Sequence, residues 1–386
     1  MLAPRQDSVD MVEPSMLVLV LSLLIELGMI GSLLFTLYYT VHYRSGLQEP
    51  DKVHRIWSRI SEIRLQPIPK PLLFSSIISY GSNSVFTIVL AFLPVLLNFH
   101  FASHGMISVL FLLIITVGSC ALAIVTYLVG GGSNWKTAVW GSSGLHLAMY
   151  FYYIFFADAV SQVLEESHRK NIPMTKNAAI VTLYVVIPIC TVAMQFLLSC
   201  WVAYLNMPST ARKIYNNTVV PNWVKLDRSI MIATVPLFVV HLAGLLIQSF
   251  VGYGFYLSRV VYYLATLMML AVSGLVSIIS VNRALLANEF EWQWRAFLTP
   301  AIPLGCMDVV LALILTILGK NESFFLSLLQ CIRLFFGYGT CGALAAYVYL
   351  LVAEKYAQTY VDEDVAAQTD LLGEFADDDD NEELEV

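Results

Sequence analysis

The chain has 386 residues, of which 58% are hydrophobic and only 13% are charged. A soluble globular domain carries about a quarter charged residues, so this composition excludes a soluble fold and requires lipid to cover most of the surface. The net charge of -7 at pH 7 says little about partners, because the acidic residues are concentrated near the C-terminus. We therefore expect the lipid bilayer as a partner and no nucleic acid.

Nine apolar runs follow one another along the chain, and each is long enough to cross a bilayer as a helix of about 20 residues. We predict an all-α, polytopic membrane protein with nine transmembrane helices, at residues 16–43, 84–101, 106–130, 138–160, 178–205, 229–255, 260–286, 296–319 and 323–353. The predicted membrane domain covers residues 16–360, between a short N-terminal tail (1–15) and an acidic tail (361–386). The acidic tail contains no Lys or Arg, a composition typical of a disordered, solvated segment.

The distribution of Lys and Arg gives the orientation. Cytoplasmic loops hold the excess of these residues, and most of them fall in segments that share a side with the C-terminus. We therefore predict a cytoplasmic C-terminus and, because nine is odd, a lumenal or extracellular N-terminus. The first apolar run is too long for the core of a cleavable signal peptide and is followed by basic residues, so we interpret it as a signal anchor.

The largest predicted cytoplasmic loop (44–83) contains an amphipathic helix at residues 51–64. Its apolar face is formed by Val53, Ile56, Trp57, Ile60 and Ile63. Two placements are open: the helix lies in the headgroup plane of the inner leaflet, or it packs against the ends of the spans. Three prolines, at Pro67, Pro69 and Pro71, are predicted to end it before the second span.

Three polar segments between the spans are richer than ordinary interfacial turns. The first leads from Lys70 to Gly81 and Ser82 at the start of the second span, and the second is the turn Gly131-Gly132-Ser133-Asn134-Trp135-Lys136-Thr137. The third, Glu289–Phe297, combines Trp and Arg, which satisfy both hydrocarbon and water at a membrane interface. All three lie on the predicted cytoplasmic side, so we expect a common inner-face platform. Its acidic residues, Glu289 and Glu291, are free to pair with Arg295 or with the lysine of the second segment.

Together, and in this order, the three segments resemble motifs of the nonaspanins, the transmembrane 9 superfamily. The matching residues are Gly81, Ser82, Gly131, Gly132, Trp135, Lys136, Thr137, Glu289, Trp292, Trp294, Arg295 and Phe297. The resemblance implies a protein of Golgi and endosomal membranes that binds the transmembrane helices of client membrane proteins and sorts them, with cytosolic trafficking factors as further partners. The family's large lumenal N-terminal domain and its short C-terminal retention signal have no counterpart in this sequence. The resemblance therefore implies a divergent or truncated member, and it does not imply retention in the Golgi.

Ionisable residues inside spans are costly and mark either functional sites or internal pairs. The candidates are Glu26, Asp308 and Arg333. Asp308 and Arg333 lie equally far from the turn that joins the eighth and ninth spans, so we predict an intramembrane ion pair. The pair either fixes the register of the two helices or acts as a gate or proton relay. Glu26 either bonds to a neighbouring helix or titrates in a cavity.

Small residues inside the spans allow helices to approach closely, and they either pack the spans or line a groove for client helices. They are Gly28, Ser32, Ser273, Ser277, Gly337 and Gly339. The sequence has no phosphate-binding glycine loop, no nucleophile with a base and no cluster with metal-ligand spacing, so we predict no enzymatic activity, no metal and no cofactor. The alternatives to sorting are a secondary transporter or channel that uses Glu26 or the Asp308–Arg333 pair, and a structural subunit of a larger complex.

Overall fold

The computed structural model of the protein describes residues 60–64, 66–96, 105–169, 174–204, 255–286, 292–318 and 323–382. Every regular element within these ranges is helical, which confirms the predicted all-α class for them. The helices are α1 (Ile60–Arg64), α2 (Pro71–Leu96), α3 (Gly105–Val129), α4 (Trp135–Phe156), α5 (Ala159–Arg169), α6 (Lys176–Val181), α7 (Ile187–Tyr204), α8 (Phe255–Leu286), α9 (Gln293–Ile317) and α10 (Phe324–Glu382). A π-helical segment, Thr182–Val186, joins α6 to α7.

Five of the described segments are long and apolar enough to cross a membrane, and six spans result if the bent pair α4–α5 is counted as one. They correspond to the predicted second, fifth, seventh, eighth and ninth spans, with the bent pair at the fourth. The bounds of α3 agree with those of the predicted third span to within one residue at each end. The predicted first and sixth spans lie outside the described residues, so the count of nine stays a prediction.

The helix α2 begins 13 residues earlier than the predicted start of the second span at residue 84. Proline suits the first turn of a helix because its missing N–H has no partner there, and Pro71 is the first residue of α2. Lys70 makes the turn into the helix with a φ of 53, and its carbonyl accepts a hydrogen bond from Phe74 N at 3.1 Å. The segment that contains Gly81 is therefore helical and does not belong to a loop.

The helices α4 and α5 meet at a bend of 68°. Asp158 lies in the bend with a φ of 47, in the left-handed region that Asp tolerates better than most residues. The apolar run ends at Phe156, and α5 continues as a mostly polar helix. The predicted single span at residues 138–160 therefore misses the bend.

The helix α10 is central in the described bundle and packs against α9, α8 and α2. The core between α8, α9 and α10 includes Met269, Leu304, Leu334 and Tyr338. In turn, α2 packs against α3 and α4, and α7 packs against α3. Side chains on α2 and α10 therefore have the greatest opportunity to meet those of other helices.

The acidic segment at the C-terminus differs from its prediction. The helix α10 continues to Glu382 as one element of 59 residues, whereas the composition predicts disorder from residue 361. Between residues 361 and 382 there is no proline and a single glycine, Gly373, and the Ala, Leu and Glu residues there favour helix. Local propensity explains why the helix does not stop where the acidic residues begin.

The described part of the amphipathic loop segment, α1, packs against the ends of other helices. Ile60 and Ile63 are each 2% exposed and belong to a cluster with Leu285, Trp292 and Leu350. Of the two placements that the sequence leaves open, α1 adopts packing against the bundle. The other apolar residues of the predicted face, Val53, Ile56 and Trp57, lie outside the described residues.

Candidate functional site

Three consecutive side chains at the start of α9 donate hydrogen bonds to one short segment between α1 and α2. Backbone carbonyls that are not used in a helix need donors, and these side chains supply them to residues 63–64, at the end of α1, and 66–69, which we together call the connector. The acceptors are spaced by three residues. The pairs are Trp292 Nε1 to Ile63 O at 3.0 Å, Gln293 Nε2 to Gln66 O at 3.0 Å and Trp294 Nε1 to Pro69 O at 2.7 Å.

Both tryptophans also pack against neighbouring helices. Trp292 is only 5% exposed, and its ring stacks on Tyr347 of α10 with the centroids 6.3 Å apart. The ring of Trp294 meets Phe74 of α2 edge-on at 4.9 Å, a favoured geometry for aromatic pairs. The two residues therefore join the connector to α2 and α10.

The next residues of this motif are buried as well. Arg295 is 8% exposed, and its Nε donates to Ser280 Oγ of α8 at 3.3 Å. Phe297 is 1% exposed, and its ring fills the space left by Gly339 of α10, where a Cβ would overlap it. Glu289 and Glu291 lie outside the described residues, so their proposed pairing with basic residues stays a prediction.

The glycine turn after α3 binds the connector too. Gly130 O accepts a hydrogen bond from Ile68 N at 3.1 Å. Gly131 has a φ of 95, which favours glycine, and a Cβ on Gly132 would overlap the ring of Tyr127. The turn therefore requires glycine at both positions that the sequence analysis selected.

The rest of the second motif begins α4. The Asn134 side chain caps this helix by accepting from Lys136 N at 3.0 Å, as a good N-cap residue does. Thr137 N donates to Asn134 O at 3.1 Å, and Lys136 Nζ lies 5.9 Å from the centroid of the Trp135 ring. These residues shape the start of α4 and leave Lys136 exposed.

Gly81 lies inside α2, about 15 Å along the helix axis from its first residue. A Cβ on Gly81 would overlap Thr340 Oγ1 and the carbonyl group of Phe336 in α10, so the two helices cross here with their backbones in close contact. Ser82 is 1% exposed, and its Oγ donates to Ser79 O at 2.8 Å. The predicted platform of three motifs is therefore wrong for this segment, because two motifs meet at the connector and the third lies in the bundle.

An ion pair ties the start of the connector to α10. Arg64 Nε donates to Glu354 Oε2 at 2.8 Å, and Arg64 Nη1 donates to Tyr347 Oη at 3.0 Å. Burial lowers the pKa of Arg64, but the bond to Glu354 and the charges of Tyr347 and Glu354 together outweigh it and raise the pKa above its ordinary value. Arg64 therefore stays charged at any ordinary pH.

The family of the chain follows from a comparison with family models. Residues 7–313 match the model described as Endomembrane protein 70, a range that includes all three motifs. The chain belongs to the Endomembrane protein 70 family. The resemblance to the transmembrane 9 superfamily is confirmed, and the protein is a multi-pass endomembrane protein. No curated protein matches the chain, and no solved structure matches it.

In this Endomembrane protein 70 family member, the predicted ion pair between Asp308 and Arg333 is wrong. Asp308 accepts a hydrogen bond from Tyr338 and lies close to Cys331, two residues that share one face of α10 because they are two turns apart. Arg333 is only two residues from Cys331, so it points about 200° away around the helix. The two residues lie at similar depth but on different faces. Asp308 Oδ2 is buried and has no hydrogen-bond partner among the residues that the structure describes.

Arg333 faces α2 and α4 instead. Its charge acts on Tyr80 and His146, whose rings lie 5.1 Å apart, and no ion pair of Arg333 occurs within the described ranges. His146 Nδ1 lies 2.8 Å from Ser142 O, and because a carbonyl only accepts, Nδ1 carries the hydrogen. Within the described part of the chain, the buried Nε2 has no hydrogen-bond partner. In the described part of the family member, no group of three His, Cys, Asp or Glu residues is placed to hold a metal ion, and Glu26 lies outside that part.

A cluster of hydroxyl groups between α2, α3 and α4 was not predicted from the sequence. Ser79 Oγ donates to Ser119 O at 3.1 Å and lies 2.6 Å from Ser142 Oγ, so it joins α2, α3 and α4. Ser143 Oγ donates to Gln195 Oε1 of α7. The available signal was the helical spacing of the serines at 75, 76, 79 and 82 within an apolar run, but it falls in a segment that we predicted to be a loop.

The small residues that were candidates for a client groove pack helices inside the bundle. Ser277 Oγ donates to Ala296 O at 2.6 Å across α8 and α9, and Ser273 is fully buried. Gly337 and Gly339 are buried in α10. The packing interpretation therefore holds for these four residues, and the other two candidates, Gly28 and Ser32, lie outside the described residues.

Proposed function

We propose that the protein sorts other membrane proteins through Golgi and endosomal membranes by holding their transmembrane helices against the outward face of α4. Membership of the Endomembrane protein 70 family supports an endomembrane role. The observation that carries the docking site is a row of residues at helical spacing on α4. They are Trp140 (62% exposed), Gly144, Ala148, Phe151 (38%) and Phe155 (76%).

The middle of this row leaves room for another backbone. A Cβ placed on Gly144 would meet nothing within 4 Å, and Ala148, one turn further on, is exposed. Without a hydrophobic driving force between helices in lipid, association relies on close packing, which two small residues four positions apart permit. A client helix with small residues on its own face would therefore pack closely here.

Aromatic pairs border the small residues on the side of α6 and α7. Trp140 meets Phe196 of α7 edge-on at 4.6 Å, and Phe151 stacks on Tyr184 of the π-helical segment at 6.4 Å. These pairs fix the rings near both ends of the row. The row is therefore a shaped surface that a second helix could follow for about four turns.

The neighbouring outward surface provides a matched comparison. On α6, the π-helical segment and α7, the same helical spacing places bulky β-branched residues at Val181 (52% exposed), Val185 (47%) and Ile189 (62%). Branched side chains keep a second backbone at a distance, and lipid chains satisfy them. We expect this surface to face lipid.

A pair of variants tests the proposal in cells that lack the gene. The unmodified protein should restore the distribution of membrane proteins between the surface and intracellular compartments. Gly144→Leu/Ala148→Leu should fail to restore it for the sorted clients, whereas Val181→Leu/Val185→Leu, on the bulky surface, should behave like the unmodified protein. If deletion of the gene leaves the membrane proteome unchanged, the sorting role is wrong; if the α4 variant restores the distribution as the unmodified protein does, the docking face is wrong.

Transport of an ion or solute is the alternative, and one observation favours it. Arg333, the unpartnered nitrogen of His146 and the serines of α2 and α4 form a polar region inside the apolar bundle, and ionisable groups in such places mark pathways in transporters. Flux of protons or anions into liposomes that contain the purified protein tests this role. Flux that disappears in Arg333→Gln would favour transport over sorting.

A further inference from the structure

A cavity of about 140 Å³ lies beside the connector. Its walls come from the connector, α2, α3, the start of α9 and α10. It touches the connector through Gln66 and the motif at the start of α9 through Trp292 and Gln293. Nothing in the family match or in the proposed function assigns a role to this space.

The cavity has a polar end and an apolar end. Arg64, Gln66 and Gln293 lie where α1 ends and α9 begins, and Ile78 and Leu122 form the inner wall. Ile78 is seven residues after the start of α2, and Leu122 is seven residues before the end of α3, so both lie about 10 Å inside the ends of their helices. Polarity therefore falls with depth, as it does along a lipid molecule from its headgroup to its chain.

The apolar end is unsuited to water. A dry cavity of about 150 Å³ lined by apolar side chains takes a benzene-sized apolar group, whereas an ordered water needs two to four polar partners. A space that takes a benzene-sized group holds about six carbons of one acyl chain and is too small for a sterol or a helix.

The cavity is open to the side. Val125 lines it and is 39% exposed, so the wall is interrupted on α3, within an apolar helix. At the polar end the charge of Arg64 is already balanced by Glu354 at 2.8 Å. The site therefore offers polar groups to a headgroup without a net charge that would select an anionic one.

We propose that the cavity binds one acyl chain of a membrane phospholipid, with the lipid headgroup at Arg64, Gln66 and Gln293. The chain enters past Val125 and ends against Ile78 and Leu122. A bound chain fills the space between the connector and α10 and so supports the hydrogen bonds that α9 makes to the connector. This role is independent of client sorting and does not require the outward face of α4.

Photolabelling of the full-length protein in nanodiscs tests the proposal. The probe is phosphatidylcholine with a diazirine near the middle of one acyl chain, and mass spectrometry locates the labelled residues. We expect labelling of the α2 and α3 walls around Ile78 and Leu122 above that at Val310, an exposed apolar position of α9 (45% exposed) outside the cavity. A phosphatidylglycerol probe should label the same residues to the same extent.

Two variants separate a bound chain from surrounding lipid. Ala343→Leu fills the cavity from α10, and Val125→Trp blocks its side opening at a partly exposed position that tolerates a large ring. Both should reduce labelling of the inner wall to the level at Val310, whereas Val310→Trp should not. The proposal is overturned if labelling is equal over all lipid-facing residues and does not change in Val125→Trp. Labelling by the anionic probe alone overturns the assignment of the polar end.

Discussion

Replacing Trp294 by phenylalanine removes one bond to the connector and keeps an aromatic ring beside Phe74. The lost interaction is the hydrogen bond of 2.7 Å from Trp294 Nε1 to Pro69 O. A carbonyl that loses its partner costs about 1–3 kcal/mol when it is buried. Pro69 is half-buried, so water replaces part of the bond and we expect the lower end, about 1 kcal/mol.

The amide of Ile68 reports this change directly. It donates to Gly130 O at 3.1 Å, and the residues on either side of it, Pro67 and Pro69, have no amide hydrogen. A loss of about 1 kcal/mol from the closed connector raises its open fraction about fivefold. Hydrogen exchange of Ile68, followed by mass spectrometry in detergent, should therefore be about five times faster in Trp294→Phe.

Two further variants sharpen the test. Trp292→Phe should have a smaller effect, because Ile63 O keeps a second bond from Gln66 N at 3.3 Å. Trp140→Phe changes an exposed tryptophan of α4 that is remote from the connector and should leave Ile68 unchanged. Equal exchange of Ile68 in the unmodified protein and in Trp294→Phe would refute the claim that α9 holds the connector closed.

Three other predictions concern stability, measured by thermal unfolding in detergent. Gly81→Ala should destabilise the protein by about 1–3 kcal/mol or more, because the added methyl group overlaps the backbone of α10. The control Gly337→Ala should be close to neutral, because its Cβ meets nothing nearer than 3.8 Å. Equal effects of the two substitutions would contradict the close crossing of α2 and α10. Lys70→Gly should stabilise by about 0.5–1 kcal/mol by relieving the φ of 53, and a loss of stability would contradict it. Asp308→Asn should keep or raise stability, within about 1 kcal/mol, because no cation of the described residues balances this carboxylate. A large loss of stability in Asp308→Asn, together with normal stability when the residues at 308 and 333 are exchanged, would indicate an ion pair between them and contradict the structure.

The positions of the connector motifs could be found from the sequence, but their partners could not. Trp292 and Trp294 stand out as alternating tryptophans beside an apolar run, and such rings satisfy a membrane interface as well as they satisfy a carbonyl. Their acceptors lie more than 220 residues earlier in the chain. Nothing local in either segment encodes that pairing, so the motif can be recognised from the sequence but its contact with the connector cannot.

Gly81 shows how a local signal misleads. The stretch Tyr80-Gly81-Ser82-Asn83 has the composition of a turn, and the second span was predicted to begin after it, at residue 84. The glycine is tolerated within α2 because another helix crosses there and needs the space. Turn composition and close helix packing select the same small residues, and only the tertiary structure separates them.

Asp308 and Arg333 show the limit of counting along helices. Counting residues from the joining turn gives the depth of each side chain correctly. The direction around the helix axis depends on how α10 is rotated against its neighbours, and a difference of two residues turns a side chain through about 200°. Equal depth alone therefore does not show that the two side chains pair.

The most direct test of the central claim is crosslinking from the outward face of α4 to client helices. A photoreactive amino acid at position 144 should crosslink the transmembrane segments of sorted membrane proteins in native membranes. The same amino acid at position 185, on the bulky surface, should crosslink mainly lipid. If client helices dock on the outward face of α4, their transmembrane segments are captured at 144 and not at 185. Equal capture at both positions, or none at 144, would contradict this docking.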